Sequence, residues 1–255
     1  ADMASTCGPH RRWLVVSIAA ALISPVFVSN RTDAAPAAVQ RPPQFVLMSI
    51  DNGSDFQVVD QLRGIALRTK ARLTYFLAGV FMYDWDHRLE YQPPDRAAGS
   101  SSIGFQTPRA GLSVEATVAA TVGSFRAAQT EDSELGSHFM GHFCGATGIN
   151  TWTQSQWTAE IAQWNKATSQ VDSIMGINTG GGPVVRPVRG GRTPCLEGNP
   201  AAYLPAFAAA GYRYDPSPVR SLTKWPTLQG GIWRFGIPSI PTLDGGDPIL
   251  AIDYN

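Results

Sequence analysis

The sequence predicts an α/β fold built on a parallel sheet or a (β/α) barrel, and three observations support that prediction. Short apolar runs alternate with amphipathic segments of helical period along the chain, which is the pattern of strands that alternate with covering helices. The chain has 255 residues, enough for a single barrel domain. Its 25 Gly and 19 Pro indicate many turns and long ordered loops, where enzymes of this class carry their sites.

The N-terminal segment 1–38 has the layout of an export signal and a linker. A cationic stretch at 10–12 precedes an apolar run at 13–28, and small residues follow at 34–38. The apolar run of about 16 residues is shorter than the about 20 that span a bilayer, so a cleaved signal is favoured over an uncleaved anchor. We therefore expect a secreted or cell-wall associated domain at 39–255, with no stable membrane span after cleavage.

The first half of that domain predicts strands, helices and one long loop. Residues 44–50 are an apolar run closed by the polar turn 51–53, as in a buried parallel strand. Apolar positions at helical spacing and a cationic last turn predict a helix at 55–70. The following elements are a strand at 73–80, an aperiodic loop at 84–112, an Ala- and Val-rich helix at 114–129 and a strand at 134–139.

The second half continues the alternation. Residues 153–175 carry Trp and Ile at helical spacing and predict a long amphipathic helix, with Thr151 or Thr153 as its cap. Asn199 can cap a further helix at 200–210, which starts with proline and ends before glycine. Strands are predicted at 184–188, 212–215, 232–240 and 249–253.

The last predicted strand stops just before Asn255, so we expect a C-terminally truncated barrel. A barrel that lacks its last strand or helix would expose unpaired edges, and we expect residues 39–255 alone to aggregate or stay partly unfolded. The charges balance, with 20 Lys plus Arg against 20 Asp plus Glu. Because no basic stripe is present, nucleic acid is excluded as a partner, and the sequence does not indicate an oligomeric state.

Polar residues with chemical potential follow three of the predicted strands. Asp51 and Asn52 follow the first, His138 and His142 the third, and Arg192 the fourth. Because sites of parallel barrels lie at the carboxyl ends of strands, these groups would converge on one mouth. Two imidazoles four residues apart can bind one cation, although a pair of ordinary polar histidines is the alternative.

Two cysteines remain once the signal is removed, Cys144 and Cys195. An even pair outside the cytosol is a candidate disulfide, although two free thiols are equally consistent with the sequence. Because Cys144 lies two residues after His142 and Cys195 three after Arg192, a bond between them would tie the histidine loop to the arginine loop.

These motifs, in their order, resemble the polysaccharide deacetylase family, which is the NodB-homology family or carbohydrate esterase family four. The matching stretches are Asp51, 137–142, 192–194 and 212–215. Stretches 141–145 and 191–198 look closer to an exported actinobacterial branch of the family. The resemblance implies a distorted (β/α) barrel of the NodB type that binds one divalent metal, usually zinc.

The resemblance also implies roles for the residues that match. Asp51 would be the general base and Arg192 the residue that holds it. His138, His142 and Asn52 would be the metal ligands, but Asn52 stands where the family has a carboxylate. The family's general-acid histidine has no match and would lie beyond Asn255.

Substrate contacts are expected from four further residues, Pro194, Asp215, Trp225 and Trp233. Pro194 belongs to the arginine motif, and Asp215 lies near the family's fourth motif. Both tryptophans lie on Gly-rich, loop-like sequence and could stack on sugar rings, with a core position as the alternative.

The function implied is removal of N-acetyl, or O-acetyl, groups from a cell-wall or extracellular polysaccharide. One alternative is a catalytically impaired NodB-like protein that only binds carbohydrate, which Asn52 would favour. Another is a glycosidase, which needs two carboxylates about 5 to 9.5 Å apart across the sugar. Asp51 is the only acid clearly placed for that task, and Asp215 is a weaker second.

Overall fold

The computed structural model describes residues 45–252, which form a mixed α/β domain. The predicted signal at 1–38 lies outside the described residues. The strands are β1 (Met48–Asn52), β2 (Leu73–Leu77), β3 (Glu134–Ser137), β4 (Tyr214–Asp215), β5 (Val219–Ser221), β6 (Thr227–Gln229), β7 (Ile232–Arg234), β8 (Ile237–Ile240) and β9 (Ile249–Leu250). The helices are α1 (Phe56–Thr69), α2 (Val114–Thr130), α3 (Gln154–Ser169), α4 (Val171–Met175) and α5 (Pro200–Ala209).

The parallel pairing starts with β1, β2 and β3, in that order. Single bridges from Ser137 to Gly191 and from Gly190 to Tyr214 continue it to β4, which pairs in parallel with β7. β6 adds antiparallel to β7, and β5, β8 and β9 form a separate sheet. The parallel arrangement brings the ends of β1 and β3 and the segment after Gly191 to one edge, as predicted, whereas closure into a complete barrel stays a prediction.

The helix ends follow from side-chain caps. Asp55 accepts a hydrogen bond from the Gln57 amide at the start of α1. Thr153 and Gln156 form a reciprocal capping box, which identifies Thr153 rather than Thr151 as the cap of α3. Asn199 caps α5 as predicted. These caps satisfy amides that the first helical turn leaves without partners.

Two predicted strands and one predicted helix are wrong in detail. The segment 184–188 is not a strand, because prolines at 183 and 187 remove the amide donors that a ladder needs. The predicted strand at 232–240 is two strands, since β7 pairs with β4 and β8 pairs with β5. The predicted helix at 153–175 divides at Gln170, whose ψ of 17° leaves helical geometry between α3 and α4.

The entry to β1 differs from its prediction as a buried strand. Phe45, Val46 and Leu47 lie before β1 and are 73 to 83% exposed. Among the described residues, β1 pairs with β2 alone, so no strand pairs with its other edge there. The apolar run therefore identified a strand correctly but not its burial.

An aromatic core lies beneath the loop that follows β3. Phe139 stacks on Phe207 of α5 at 5.5 Å between ring centroids and meets Trp157 of α3 edge-on at 5.0 Å. Trp157 and Trp164 are fully buried, as the helical spacing predicted. The loop is thus anchored in the core two residues after β3 ends. Within residues 45–252, none of the helices has both the length and the apolar character of a membrane span.

Candidate functional site

An ion pair between Asp51 and Arg192 forms the centre of the site. Asp51 lies at the end of β1, and Arg192 Nη1 is 2.8 Å from its Oδ1. Arg192 Nη2 donates to Ser49 Oγ at 2.7 Å, and the guanidinium packs on the Phe76 ring at 4.6 Å. The Asp51 side chain keeps 21% of its exposure, and no second donor among residues 45–252 binds its other oxygen. Arg192 therefore fixes the carboxylate while leaving one oxygen accessible.

His138 is the first residue after β3 and is held by both neighbouring segments. Its amide donates to the Leu77 carbonyl at 2.9 Å, and its Nδ1 lies 2.8 Å from the Arg192 carbonyl oxygen. Because a carbonyl can only accept, Nδ1 carries the proton and Nε2 keeps a free lone pair. Burial lowers the pKa of His138 to about 4, against a smaller opposing effect of Asp51. The imidazole is therefore neutral at pH 7, the form that binds metals.

The loop 139–142 turns the chain so that His142 faces His138. The two rings lie 5.0 Å apart between centroids. Phe139 and His142 have φ angles of 59° and 53°, in the left-handed region that residues with side chains seldom occupy. Burial also lowers the pKa of His142. The two neutral imidazoles are thus brought together by a strained turn.

Asn52 occupies the last position of β1. Its φ is 72°, a left-handed conformation that Asn tolerates better than most residues. Its backbone oxygen accepts the Ala78 amide at 3.1 Å, but its buried side-chain Oδ1 has no hydrogen-bond partner among the described residues. A buried acceptor without a donor is costly unless a cation or water satisfies it.

Cys144 and Cys195 form a disulfide, with their Cα atoms 6.0 Å apart. It links the segment after His142 to the segment after Arg192. The potential ligand atoms of His142, Cys144 and Cys195 lie within 4.8 Å of one another. Because each sulfur is bonded to the other, neither offers a thiolate to a metal. The assignment of His138, His142 and Asn52 as metal ligands stays a prediction.

The expectation that Asp215 touches substrate is wrong, because its side chain is fully buried. It accepts hydrogen bonds from Tyr203 at 3.0 Å, from the Ser217 amide at 2.9 Å and from Arg234 Nε at 3.0 Å. Ser217 Oγ in turn accepts the Thr193 amide at 2.8 Å. Asp215 therefore supports the arginine loop from beneath.

Pro194 is also buried, at the start of the 3₁₀ turn Pro194–Leu196. It shapes the turn that carries Cys195 and does not offer an open surface to a ligand. The expectation of a substrate contact at Pro194 is corrected accordingly.

Trp225 and Trp233 are exposed, at 71% and 48% of their surface, so the alternative of a core position is excluded. With Pro226 and Phe235 they line an open apolar groove of about 350 Å³. A row of contacts connects this groove to the ion pair. Phe235 meets Tyr214 edge-on at 6.2 Å between ring centroids, and Tyr214 meets Phe76 edge-on at 6.4 Å. The Phe76 ring then packs on the Arg192 guanidinium.

Three supporting residues were missed from sequence. Ser49 shares a strand face with Asp51 at the two-residue period, a signal that could have identified it. Glu160 lies between Trp157 and Trp164 on the apolar face of α3, where a lone acid is unexpected. Ser217 gave no signal, because its role depends on a contact across 24 residues of sequence.

No protein-family model matches the chain, and no curated protein matches it. Among solved structures, it is similar to a family 4 carbohydrate esterase from Streptomyces lividans in complex with acetate, with 18% identity, a TM-score of 0.38, and coverage of 68% of this chain and 61% of that one. A putative polysaccharide deacetylase from Mycobacterium smegmatis has 14% identity, a TM-score of 0.42, and coverage of 75% and 57%. A family 4 pseudoenzyme from Bacillus anthracis has 11% identity, a TM-score of 0.39, and coverage of 66% and 41%.

These structures come from carbohydrate esterase family four, the family that the motifs resemble. The chain spans less than two thirds of the length of each of the three. The roles of the site residues therefore depend on their own geometry, and the exported actinobacterial branch stays a prediction.

Proposed function

We propose that this chain is a metal-dependent hydrolase that removes N-acetyl, or O-acetyl, groups from a cell-wall or extracellular polysaccharide. The observation that supports this most is the partly open Asp51 carboxylate, held by Arg192 at 2.8 Å beside two histidines whose rings are 5.0 Å apart. A base next to neutral imidazoles is the combination that metal-assisted hydrolysis requires.

The residues that would hold the metal are His138 through Nε2, His142 and Asn52 through Oδ1. The unpartnered buried Oδ1 of Asn52 and the free lone pair of His138 support this assignment. Nitrogen and oxygen ligands suit zinc, which is our candidate ion. When bound, such an ion supplies Lewis-acid polarisation of the acetyl carbonyl and lowers the pKa of a water ligand.

Asp51 is the proposed general base. Arg192 holds one of its oxygens, so the other can accept a proton from water as the water attacks the acetyl carbon. Ser49 and the Phe76 ring keep the guanidinium in place by contacts on two sides. The leaving amine must gain a proton, and protonated Asp51 is the acid that this site offers.

The groove lined by Trp225 and Trp233 is the proposed polysaccharide contact. Exposed aromatic rings present an apolar face that suits the apolar face of a pyranose, and two such rings are unusual on open protein surface. We also propose that the protein acts outside the cell, where its polymeric substrate would be.

Asn52 favours a second candidate, a carbohydrate-binding protein with impaired catalysis. A neutral amide oxygen binds a divalent cation less strongly than a carboxylate does. A glycosidase is a poorer candidate, because Asp215 is fully buried in its own ion pair and cannot serve as the second acid.

Acetate release from acetylated chitin oligomers and from peptidoglycan tests the proposal, with added zinc and the full chain. The Asp51→Asn variant is the matched control and should release acetate about 10²- to 10⁴-fold more slowly. Polymer binding without acetate would support the carbohydrate-binding protein, and new reducing ends without acetate would support the glycosidase.

A further inference from the structure

A buried acid lies directly behind the histidine loop and has no part in the proposed chemistry. Glu160 of α3 is 1% exposed. Its Oε1 accepts the amides of Met140 at 3.0 Å and Gly141 at 3.3 Å, and the Tyr91 hydroxyl lies 2.9 Å from both carboxylate oxygens. No Lys or Arg pairs with it among the described residues, which is unusual for a buried acid. Burial raises the pKa of Glu160 to about 7 against the effect of these donors.

The two amides that Glu160 holds are the central ones between His138 and His142. The turn they belong to is strained at both ends, at Phe139 and at His142, so it needs contacts that prevent its relaxation. The packing is tight as well, because a side chain at Gly141 would come within 2.6 Å of the Phe143 ring and 2.9 Å of the Tyr91 hydroxyl. One carboxylate oxygen thus fixes the middle of the strained turn.

We propose that Glu160 is a positioning residue, which sets the distance and direction of the His138 and His142 imidazoles. It touches neither ring, and its oxygens are occupied by Tyr91 and the two amides, so it is not itself a metal ligand. An apolar side chain at this position would avoid the cost of burying an acid but would leave both amides without partners. The inference rests on the proposed function only for the identity of the cation.

A second acid provides the matched control. Glu197 Oε2 accepts hydrogen bonds from the Gly145 amide at 2.7 Å and from Asn150 Nδ2 at 2.8 Å, both of which follow Cys144 in the sequence. It holds the same long loop through the same kind of bond. It does not, however, contact the residues between His138 and His142. Glu197→Gln therefore weakens the support of this loop at a place where we expect no effect on the position of the imidazoles.

The first measurement uses metal-free protein at pH 8, above the pKa of Glu160. We expect Glu160→Gln to change the ring nitrogen NMR shifts of both His138 and His142 and to speed hydrogen exchange at Met140 and Gly141. Glu197→Gln should leave all four signals unchanged. Unchanged ring shifts in folded Glu160→Gln would overturn the inference. If that variant does not fold, Glu160→Asp, which keeps the charge but withdraws the acceptor by one methylene, must alter the same shifts.

The second measurement is zinc titration by calorimetry. Supporting contacts to metal ligands are worth about 10- to 100-fold in affinity, and we expect that loss for Glu160→Gln and a change below threefold for Glu197→Gln. Equal affinities for the two variants would overturn the inference. If the wild-type chain binds no zinc while the ring shifts still move, the metal-dependent function is wrong and the positioning role of Glu160 stands.

Discussion

Asp51–Arg192 and Asp215–Arg234 are ion pairs of the same two residue types, with their aspartates on strands of two different sheets. Their nitrogen–oxygen distances are nearly equal, 2.8 and 3.0 Å. The Asp215 side chain has no exposure and accepts three hydrogen bonds, whereas Asp51 keeps 21% exposure and accepts from Arg192. The two carboxylates differ in how many of their oxygen lone pairs remain without a hydrogen-bond donor.

A carboxylate whose acceptor sites are filled stabilises a fold, and one with a free oxygen can accept a proton. Asp215 anchors Tyr203 and the Ser217 amide, so it belongs to the packing of α5 against the sheet. Asp51 pairs with Arg192 and lies near enough to the two histidines to act on them electrostatically. Sequence position alone, at the end of a strand in both cases, did not separate the two roles.

The largest expected effect is the loss of activity in Asp51→Asn. The amide still accepts from Arg192 but cannot take a proton from water, so we expect the rate of acetate release to fall by about 10²- to 10⁴-fold. The melting temperature should change little. Activity within tenfold of wild type, in a folded variant, would contradict the role of Asp51 as base.

Asp215→Asn should show the opposite profile. It leaves Arg234, with a side chain only 10% exposed, without its countercharge, and breaking a buried pair costs about 3–5 kcal/mol. Urea unfolding measures this free energy. The control is Asp132→Asn, whose pair with Arg72 has both side chains 74% exposed, and which should cost less than about 1 kcal/mol. Similar losses of unfolding free energy in Asp215→Asn and Asp132→Asn would contradict the greater cost expected for breaking the buried pair.

The histidine beside the open pair should make the metal-free protein sensitive to acid. In the unfolded chain His138 takes up a proton near its ordinary pKa of 6.5, but in the folded protein only near 4. The neutral imidazole therefore makes its full contribution to the unfolding free energy above pH 6.5. This contribution, about 3 kcal/mol, is lost as the pH falls toward 4.

The measurement is the difference in unfolding free energy between wild type and His138→Gln, followed as a function of pH. The raised pKa of Glu160 gives stability that falls as the pH rises toward 7, a trend of opposite sign that cancels in the difference. A difference that does not vary between pH 7 and pH 4 would contradict the burial of a neutral imidazole at this site.

Asn52→Asp has the smallest expected effect. Aspartate also tolerates the left-handed backbone at this position, and it supplies a charged ligand in place of an amide. We expect zinc to bind about tenfold more tightly, a gain of about 1.4 kcal/mol that titration calorimetry would measure. Weaker binding in the variant would place the Asn52 oxygen outside the metal site.

Local patterns were sufficient for three of the helices and to locate the first three strands. Apolar period, caps and glycine ends identify α1, α2 and α5 to within one or two residues, because these signals lie within the element itself. The pairing of short strands depends on distant partners instead. That is why β7 and β8 merged in the prediction. The assignment of 184–188 to a strand instead overlooked a local signal, the prolines at 183 and 187.

The same division applies to the site. Asp51, His138 and Arg192 were found because each follows a predicted strand, and a parallel sheet brings strand ends to one edge. Whether a side chain there is open or closed depends on contacts from elsewhere in the chain. Asp215 was misassigned for that reason, since Arg234 and Tyr203 reach it across 19 and 12 residues.

Arg192 acts on the site through two chemically separate parts. Its guanidinium secures the carboxylate of Asp51, while its peptide oxygen sets which nitrogen of His138 carries the proton. Every side-chain substitution at position 192 keeps this peptide oxygen in place, provided that the backbone path does not change. A substitution at position 192 can therefore change the environment of the Asp51 carboxylate while the tautomer of His138 stays the same. The base and the histidine could then be engineered separately.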